Sequence, residues 1–302
     1  MRDYRMHSHR CALALMILVL GVVQSARAAG PLVTLTQTSV TGPAATVFNG
    51  NLYIAWTGTD NPNHLNVAYT TDGVHLSTPV VIPNNSSVAW AGPGLAVFNG
   101  KLYLSWTGGS SRVNYISSSD GVHWGNQVVT NWAAEGSTSL TATATALYIG
   151  FAQATSPNTV SVDFTSDGTN WNVFANYNTG GAGSPYSPSV AIDPNGQLVP
   201  AYMTFPSTSC SWNCLVVGFG LVPGPLNPGV SAPGTSSSGG PGLVSFNGHL
   251  YVAWNGGFSG ANNNGSILVA NNSSFPWPYF AAGQSCRGNP ALVAWNGHLY
   301  IV

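Results

Sequence analysis

Val97-Phe98-Asn99-Gly100-Lys101-Leu102-Tyr103 returns along the chain as Val47-Phe48-Asn49-Gly50-Asn51-Leu52-Tyr53, Ser245-Phe246-Asn247-Gly248-His249-Leu250-Tyr251 and Ala294-Trp295-Asn296-Gly297-His298-Leu299-Tyr300. Two degenerate copies, Thr145-Ala146-Leu147-Tyr148 and Asn195-Gly196-Gln197-Leu198-Val199, fill the gap. The leucines at 52, 102, 147, 198, 250 and 299 are spaced by 50, 45, 51, 52 and 49 residues. Six units at so regular a period predict a closed or stacked array of repeats.

Each unit reads as β. Asn-Gly between apolar runs is a strong hairpin signal, because both turn residues must take positive φ. In the Leu-Tyr-x-x-Trp phrase that follows, period 2 puts Leu52, Ile54 and Trp56 on one face, with Tyr53 and Ala55 on the other. A polar loop, a third strand such as Val113–Ser117 and a fourth such as Asn126–Thr130 complete the unit. Four short strands per repeat of 45–52 residues predict an all-β fold, a six-bladed β-propeller. The tryptophans of the repeated phrase are expected between blades.

Phase fixes how the array closes. Leu32–Thr36 matches a fourth strand, whereas Pro290–Ala294 and Leu299–Val302 supply only the first two strands of the last unit. An N-terminal strand that completes the last blade would remove the exposed edges. On this count the last unit lacks its third strand, which suggests a truncated frame.

Composition agrees with this class. Charged residues make up 5% of the 302, against about 25% in an ordinary soluble domain. Gly and Pro number 36 and 20, hydrophobic residues 44% and aromatics 11%. Such a chain cannot build the charged faces of long surface helices or coiled coils, and it is too apolar for charge-driven disorder.

Residues 1–28 have the order of a secretory leader. Arg2, Arg5 and Arg10 precede the apolar run Cys11–Val23, and Ala26-Arg27-Ala28 gives a small-x-small cleavage pattern. The mature domain, 29–302, is then expected to be secreted or periplasmic, with no membrane insertion. It keeps three bases (Lys101, Arg112, Arg287) against seven acids (Asp60, Asp72, Asp120, Glu135, Asp163, Asp167, Asp193), a net charge of −4. Three bases cannot neutralise a run of phosphates, which argues against nucleic acid as a partner.

An exported compartment permits disulfides. Cys210 and Cys214 bracket Ser-Trp-Asn at a spacing that could staple a tight loop, and Cys286 could equally bridge to either. Neither metal nor cofactor is expected.

The turns between third and fourth strands are the most specific motif: Ser118-Ser119-Asp120-Gly121-Val122-His123-Trp124, Thr165-Ser166-Asp167-Gly168-Thr169-Asn170-Trp171 and the weaker Thr70-Thr71-Asp72-Gly73-Val74-His75-Leu76. They resemble the Asp-box turns of sialidase-like (BNR-repeat) propellers, S-x-D-x-G-x-x-W, with one residue fewer before the glycine. The resemblance covers the whole mature chain at the level of repeat and fold. It implies that Asp72, Asp120 and Asp167 are turn residues on the face away from a sugar site, with Trp124 and Trp171 packed beneath. It also implies an enzyme with three arginines on the substrate carboxylate, a Tyr–Glu nucleophile pair and an Asp acid/base. With Arg112, Arg287 and Glu135 alone, that clamp cannot be assembled.

The resulting expectation is a secreted, monomeric, non-catalytic propeller that binds carbohydrate or glycoconjugates through loops on the axial-entrance face. Its candidate ligand-binding residues are Trp90, Arg112, Trp132, Glu135, Tyr186, Trp212 and Arg287. Loop aromatics are singled out because sugars offer C–H faces to rings and hydroxyls to charged and amide groups. A glycoside hydrolase of atypical site is the alternative, with Glu135 and Asp60 as its two carboxylates. A protein-binding surface module is the third reading.

Overall fold

The structure, a computed structural model, describes residues 11–18, 29–82, 91–154, 159–178, 187–204, 214–218, 239–255, 266–273, 279–285 and 288–302. Every regular element in them is a β-strand. β1 (Cys11–Leu18) and β2 (Ala29–Ser39) precede the repeats. Unit one holds β3 (Ala44–Phe48), β4 (Asn51–Thr57), β5 (Leu65–Thr70) and β6 (Val80–Val81). Unit two holds β7 (Gly94–Phe98), β8 (Lys101–Thr107), β9 (Arg112–Ser118) and the first part of β10 (Val128–Ala142). The rest of β10 opens unit three, which continues with β11 (Leu147–Gln153), β12 (Thr159–Thr165) and β13 (Trp171–Asn178). Unit four holds β14 (Ser189–Ile192), β15 (Leu198–Thr204) and β16 (Cys214–Val217). Unit five holds β17 (Gly242–Phe246), β18 (His249–Asn255), β19 (Ser266–Asn271) and β20 (Tyr279–Ser285), and unit six begins with β21 (Leu292–Trp295) and β22 (His298–Ile301).

Among the described residues all pairings are antiparallel, and apart from β1 against β22 they join consecutive strands in meanders, the sheet architecture of a β-propeller. The Asn-Gly hairpins form as the sequence predicts, with φ of 48° at Asn99 and 68° at Gly100. In the sheet of unit six the order is β21-β22-β1-β2. β2 is outermost, in the fourth position that its phase predicts. β1 takes the third position, with Met16 opposite Ile301 and Leu18 opposite Leu299. In the full chain the apolar run of the expected leader thus lies in the slot that repeat counting leaves empty.

One connection differs from the sequence expectation. The segment carrying Trp132 and Glu135, expected to be a loop between blades, is continuous strand. β10 pairs with β9 at one end and β11 at the other, fusing two units into one seven-stranded sheet. Register shifts between Val129 and Ala133 and between Glu135 and Ser139 let it turn the corner without losing its ladders.

The core lies between units. Trp106 of unit two packs in one cluster with Tyr53, Leu65 and Val67 of unit one, and Trp56 joins Val293, Trp295 and Tyr300 of unit six. The first strands follow one another around an axis in the order β3, β7, β10, β14, β17, β21, and β21 packs back on β3. Two further contacts tie unit six to unit one. Trp295 Nε1 donates to the Gly50 carbonyl at 2.8 Å, and Gly73 faces the rings of Trp295 and Tyr300.

Each box turn is built from its own residues. The Asp120 Oδ1 accepts the backbone N–H groups of Val122 at 2.8 Å and His123 at 2.7 Å, and the Ser118 hydroxyl at 3.0 Å. Asp72 and Asp167 repeat the pattern with Thr70 and Thr165 in the serine's place. His75 and His123 donate Nδ1–H to the second carboxylate oxygen, and Asn170 does so through its amide. Each turn also docks on the preceding unit: Gly121 lies against Tyr53, and Gly168 against Tyr103.

Candidate functional site

Ala44 at the start of β3 lies opposite Ala55 near the end of β4, and Gly94 likewise lies opposite Ser105. First strands therefore begin, and second strands end, on one face of the molecule. The loops between second and third strands open on this face, as do the connections between units. The box turns lie on the other.

At the centre of this entrance face the chain crowds the axis with small residues. Pro43, Pro93, Thr138, Pro188, Pro241 and Pro290, one from each unit, line a cavity of about 90 Å³. A second cavity of about 350 Å³ continues along the axis between the first strands. A side chain at Gly42 would collide with the Asn289 carbonyl, and one at Gly92 with the Gly42 carbonyl. Polar atoms close the mouth. Ser137 Oγ accepts the Gly92 N–H at 2.6 Å, and Asn289 Oδ1 accepts the Gly240 N–H at 2.5 Å. Across the axis, Asn289 Nδ2 lies 3.5 Å from Ser137 Oγ.

Among the described residues, no Asp, Glu, Lys, Arg or His lines either cavity. The mouth is also smaller than the roughly 300–1,000 Å³ of an ordinary small-molecule pocket. The sequence carries a signal for this ring: five units place a proline just before the first strand, as in Gly42-Pro43 and Gly240-Pro241. Proline is tolerated there because a strand's first residue need not donate to the ladder.

The charged candidates sit outside the axis. Arg112 opens β9 opposite Ala133, and Glu135 lies two residues further along β10. Asn131, Ala133 and Glu135 are exposed while Trp132 and Ala134 are turned inward, so Arg112 and Glu135 share one outer face of the seam between units two and three. The Arg112 guanidinium donates to the Asn131 carbonyl. Trp132 is half-buried beneath them. It stacks on Phe151 at 5.5 Å and 12° and meets Trp171 edge-on at 5.6 Å.

Asp60 belongs to the β4–β5 loop of unit one. Its carboxylate accepts the backbone N–H of His64 at 3.1 Å and the His64 ring Nδ1–H. Partial burial pushes this carboxyl up, but the bonds from His64 outweigh it and hold the group below its ordinary value. Asp60 thus belongs to unit one, whereas Glu135 lies on β10 at the seam between units two and three. The other acids have places of their own. In Asp72 and Asp120 the paired histidine and the turn N–H groups hold the carboxyl well below the usual range, and in Asp167 Asn170 does so. Asp193 Oδ1 accepts the N–H of Asn195 and of Gln197 within its hairpin. Asp163 is buried, and burial pushes its carboxyl up to about 6.

Trp90, Tyr186, Trp212, Arg287 and Cys210 lie outside the described residues, as does the side chain of Cys214.

No protein-family model matches the sequence, and no curated protein matches it. Solved structures do. The α-L-arabinofuranosidase of Fusarium graminearum, a point mutant in complex with an iminosugar inhibitor, aligns at TM-score 0.57 and 17% identity over 84% of both chains. The SapL1 lectin in complex with α-methyl fucoside aligns at TM-score 0.57 and 12% identity, over 86% of this chain and 87% of the lectin. The sialidase of Trypanosoma rangeli with the inhibitor DANA aligns at TM-score 0.57 and 12% identity, covering 90% of this chain. The chain spans 53% of that sialidase and 64% of a Bombyx mori β-fructofuranosidase that it also matches. Identities this low establish a fold, and the fold is the β-propeller shared by these lectin and glycosidase structures.

Proposed function

We propose that this chain is an exported, six-bladed, sialidase-like propeller that binds carbohydrate without hydrolysing it, as a monomer. The seam between units two and three on the entrance face is its contact surface. The observation that carries this reading is the axial mouth. An exo-glycosidase needs two carboxylates flanking the bond it cleaves, whereas small uncharged residues occupy the centre of the entrance face among the described residues. The seam offers what weak sugar binding uses: a guanidinium, a carboxylate and backbone carbonyls above a rigid aromatic platform. The lectin and glycosidases of the same fold, crystallised with sugars or sugar-like inhibitors, support the substrate class.

A glycan array and titration calorimetry of the mature protein test this reading. Binding of at least one glycan, weakened at least tenfold by Arg112→Ala with folding intact, is expected. A folded protein with no glycan ligand, or one whose protein partners are insensitive to competing sugar, would overturn it. The hydrolase alternative rests on Glu135 with Asp60. It requires product release from fluorogenic glycosides that Glu135→Gln abolishes.

A further inference from the structure

Asp163 occupies a core position that other units fill with carbon. It lies opposite Ile149, as Ala68 lies opposite Ile54, Ile116 opposite Leu104 and Ala270 opposite Val252. Cross-strand partners point to the same face. Asp163 therefore shares with Leu147, Ile149 and Phe151 the face turned toward unit two. The residue is 3% exposed, and its Oδ1 has no hydrogen-bond partner among the described residues.

Among the described residues, Asp163 faces an apolar cluster. β7 contributes Ala96 and Phe98 to this cluster, β10 contributes Trp132, Ala134 and Leu140, and β13 contributes Trp171. Within the cluster, Tyr103 of β8 and Tyr115 of β9 carry titratable groups, and the charged group nearest in sequence is the box carboxylate of Asp167. Burial pushes the Tyr103 hydroxyl up, and Tyr115 and Asp167 push it further. Burial is the one cause that pushes the Asp163 carboxyl up, with no charged partner acting on it. An ionised Asp163 would thus be a buried, unpaired charge, a costly state that a protein leaves by protonation or by opening.

We propose that Asp163 is a proton-operated latch on the seam between units two and three. Protonated, it packs as a neutral side chain beside Ile149. When it releases its proton to solvent, the charge draws water into the interface and loosens β12 from unit two. The Arg112–Glu135 face lies on the same seam, so the latch couples the rigidity of that face to pH whether or not the face binds sugar.

The sign follows from linkage. The folded-state value, about 6, lies above the ordinary 3.8. The stability contributed is therefore full below the ordinary value and is lost as pH rises through the folded one. Denaturant unfolding of the full chain between pH 4 and 7.5, beside Asp163→Asn and Asp163→Ala, reads it directly. The ratio of wild-type to variant unfolding constants should rise with pH by up to about 100-fold. A ratio constant across the range would overturn the latch. Hydrogen exchange of the wild type alone is independent of how the variants fold. After correction for intrinsic rates, protection of the β12 and β13 amides should fall between pH 5 and 7.5, and unchanged protection would also overturn the proposal.

Discussion

Trp295 donates its indole N–H to the carbonyl of Gly50, 245 residues away in sequence, and so fastens the last unit to the first. The ring is buried at the same junction, beside Tyr300. Trp295→Phe keeps most of the apolar surface but leaves the Gly50 carbonyl without this donor, a loss of about 1–2 kcal/mol. Trp295→Ala adds a cavity and should cost about 3–5 kcal/mol. Urea unfolding midpoints check both values. Equal midpoints for the wild type and Trp295→Ala would mean that the junction carries no stability.

The box turns make a second kind of junction. A side-chain carbon at Gly168 would fall 2.1 Å from the Tyr103 hydroxyl, and the residue also has φ of +81°. Gly196 has nearly the same backbone, φ +80°, with nothing within 4 Å. Gly196→Ala should therefore cost about 1–2 kcal/mol of conformational strain. Gly168→Ala should cost that plus about 1–3 kcal/mol of overpacking. Tyr103→Phe in the Gly168→Ala background should recover part of the second component only. A cost for Gly168→Ala no greater than for Gly196→Ala would remove the interlock.

Two sets of carboxyls set opposite pH limbs. Asp72, Asp120 and Asp167 are held below their ordinary value by turn N–H groups and by His75, His123 and Asn170. Their contribution is present above the ordinary 3.8 and is lost as pH falls through the folded value. Asp163, raised to about 6, contributes below 3.8 and loses that contribution as pH rises. The wild type should therefore be most stable at mildly acidic pH. Asp163→Ala should move the optimum toward neutrality, and Asp120→Ala should flatten the acid limb. Melting temperatures from pH 3 to pH 8 check this, and a wild-type optimum at neutral pH would contradict it.

The repeat, the hairpins and the box turns could be read from sequence because each depends on residues a few positions apart. Asn99-Gly100 needs positive φ, and Asp120 bonds to its own next residues. What could not be read depends on convergence. Serine and proline at 187–188 look like ordinary loop residues until six units bring their counterparts to one axis. Trp132 looks like a loop aromatic because nothing local shows that β10 runs on through the corner. Asp163 stands out only when β12 is laid beside its equivalents. The N-terminal apolar run supports two roles from one composition, leader and strand.

The place of β1 beside β22 has a measurable consequence. In the full chain, β2 reaches unit six through β1, and Val33 lies opposite Leu15. Removal of residues 1–28 takes that ladder away. The amides of Val33–Ser39 and of Leu299–Ile301 should then exchange faster in a chain beginning at Ala29 than in the full chain, with units one to five unchanged. Equal protection in the two forms would show that β1 does not hold the closing unit.

Packing and binding at the seam can be separated by substitution. Trp132 stacks on Phe151 and meets Trp171, so its ring supports the platform whether or not a ligand touches it. Trp132→Ala should cost about 3–5 kcal/mol and any glycan affinity together. Trp132→Phe restores an aromatic face with a smaller volume and should cost less than about 2 kcal/mol. Arg112 is half-buried at the rim and donates to the Asn131 carbonyl. Arg112→Ala should lower stability by about 1 kcal/mol at most, yet remove most of the affinity. Unfolding midpoints and calorimetric titrations on the same three variants give the comparison. If Trp132→Phe loses the affinity but keeps the stability, the indole itself contacts the ligand. If Arg112→Ala keeps the affinity, the binding surface lies elsewhere on the entrance face.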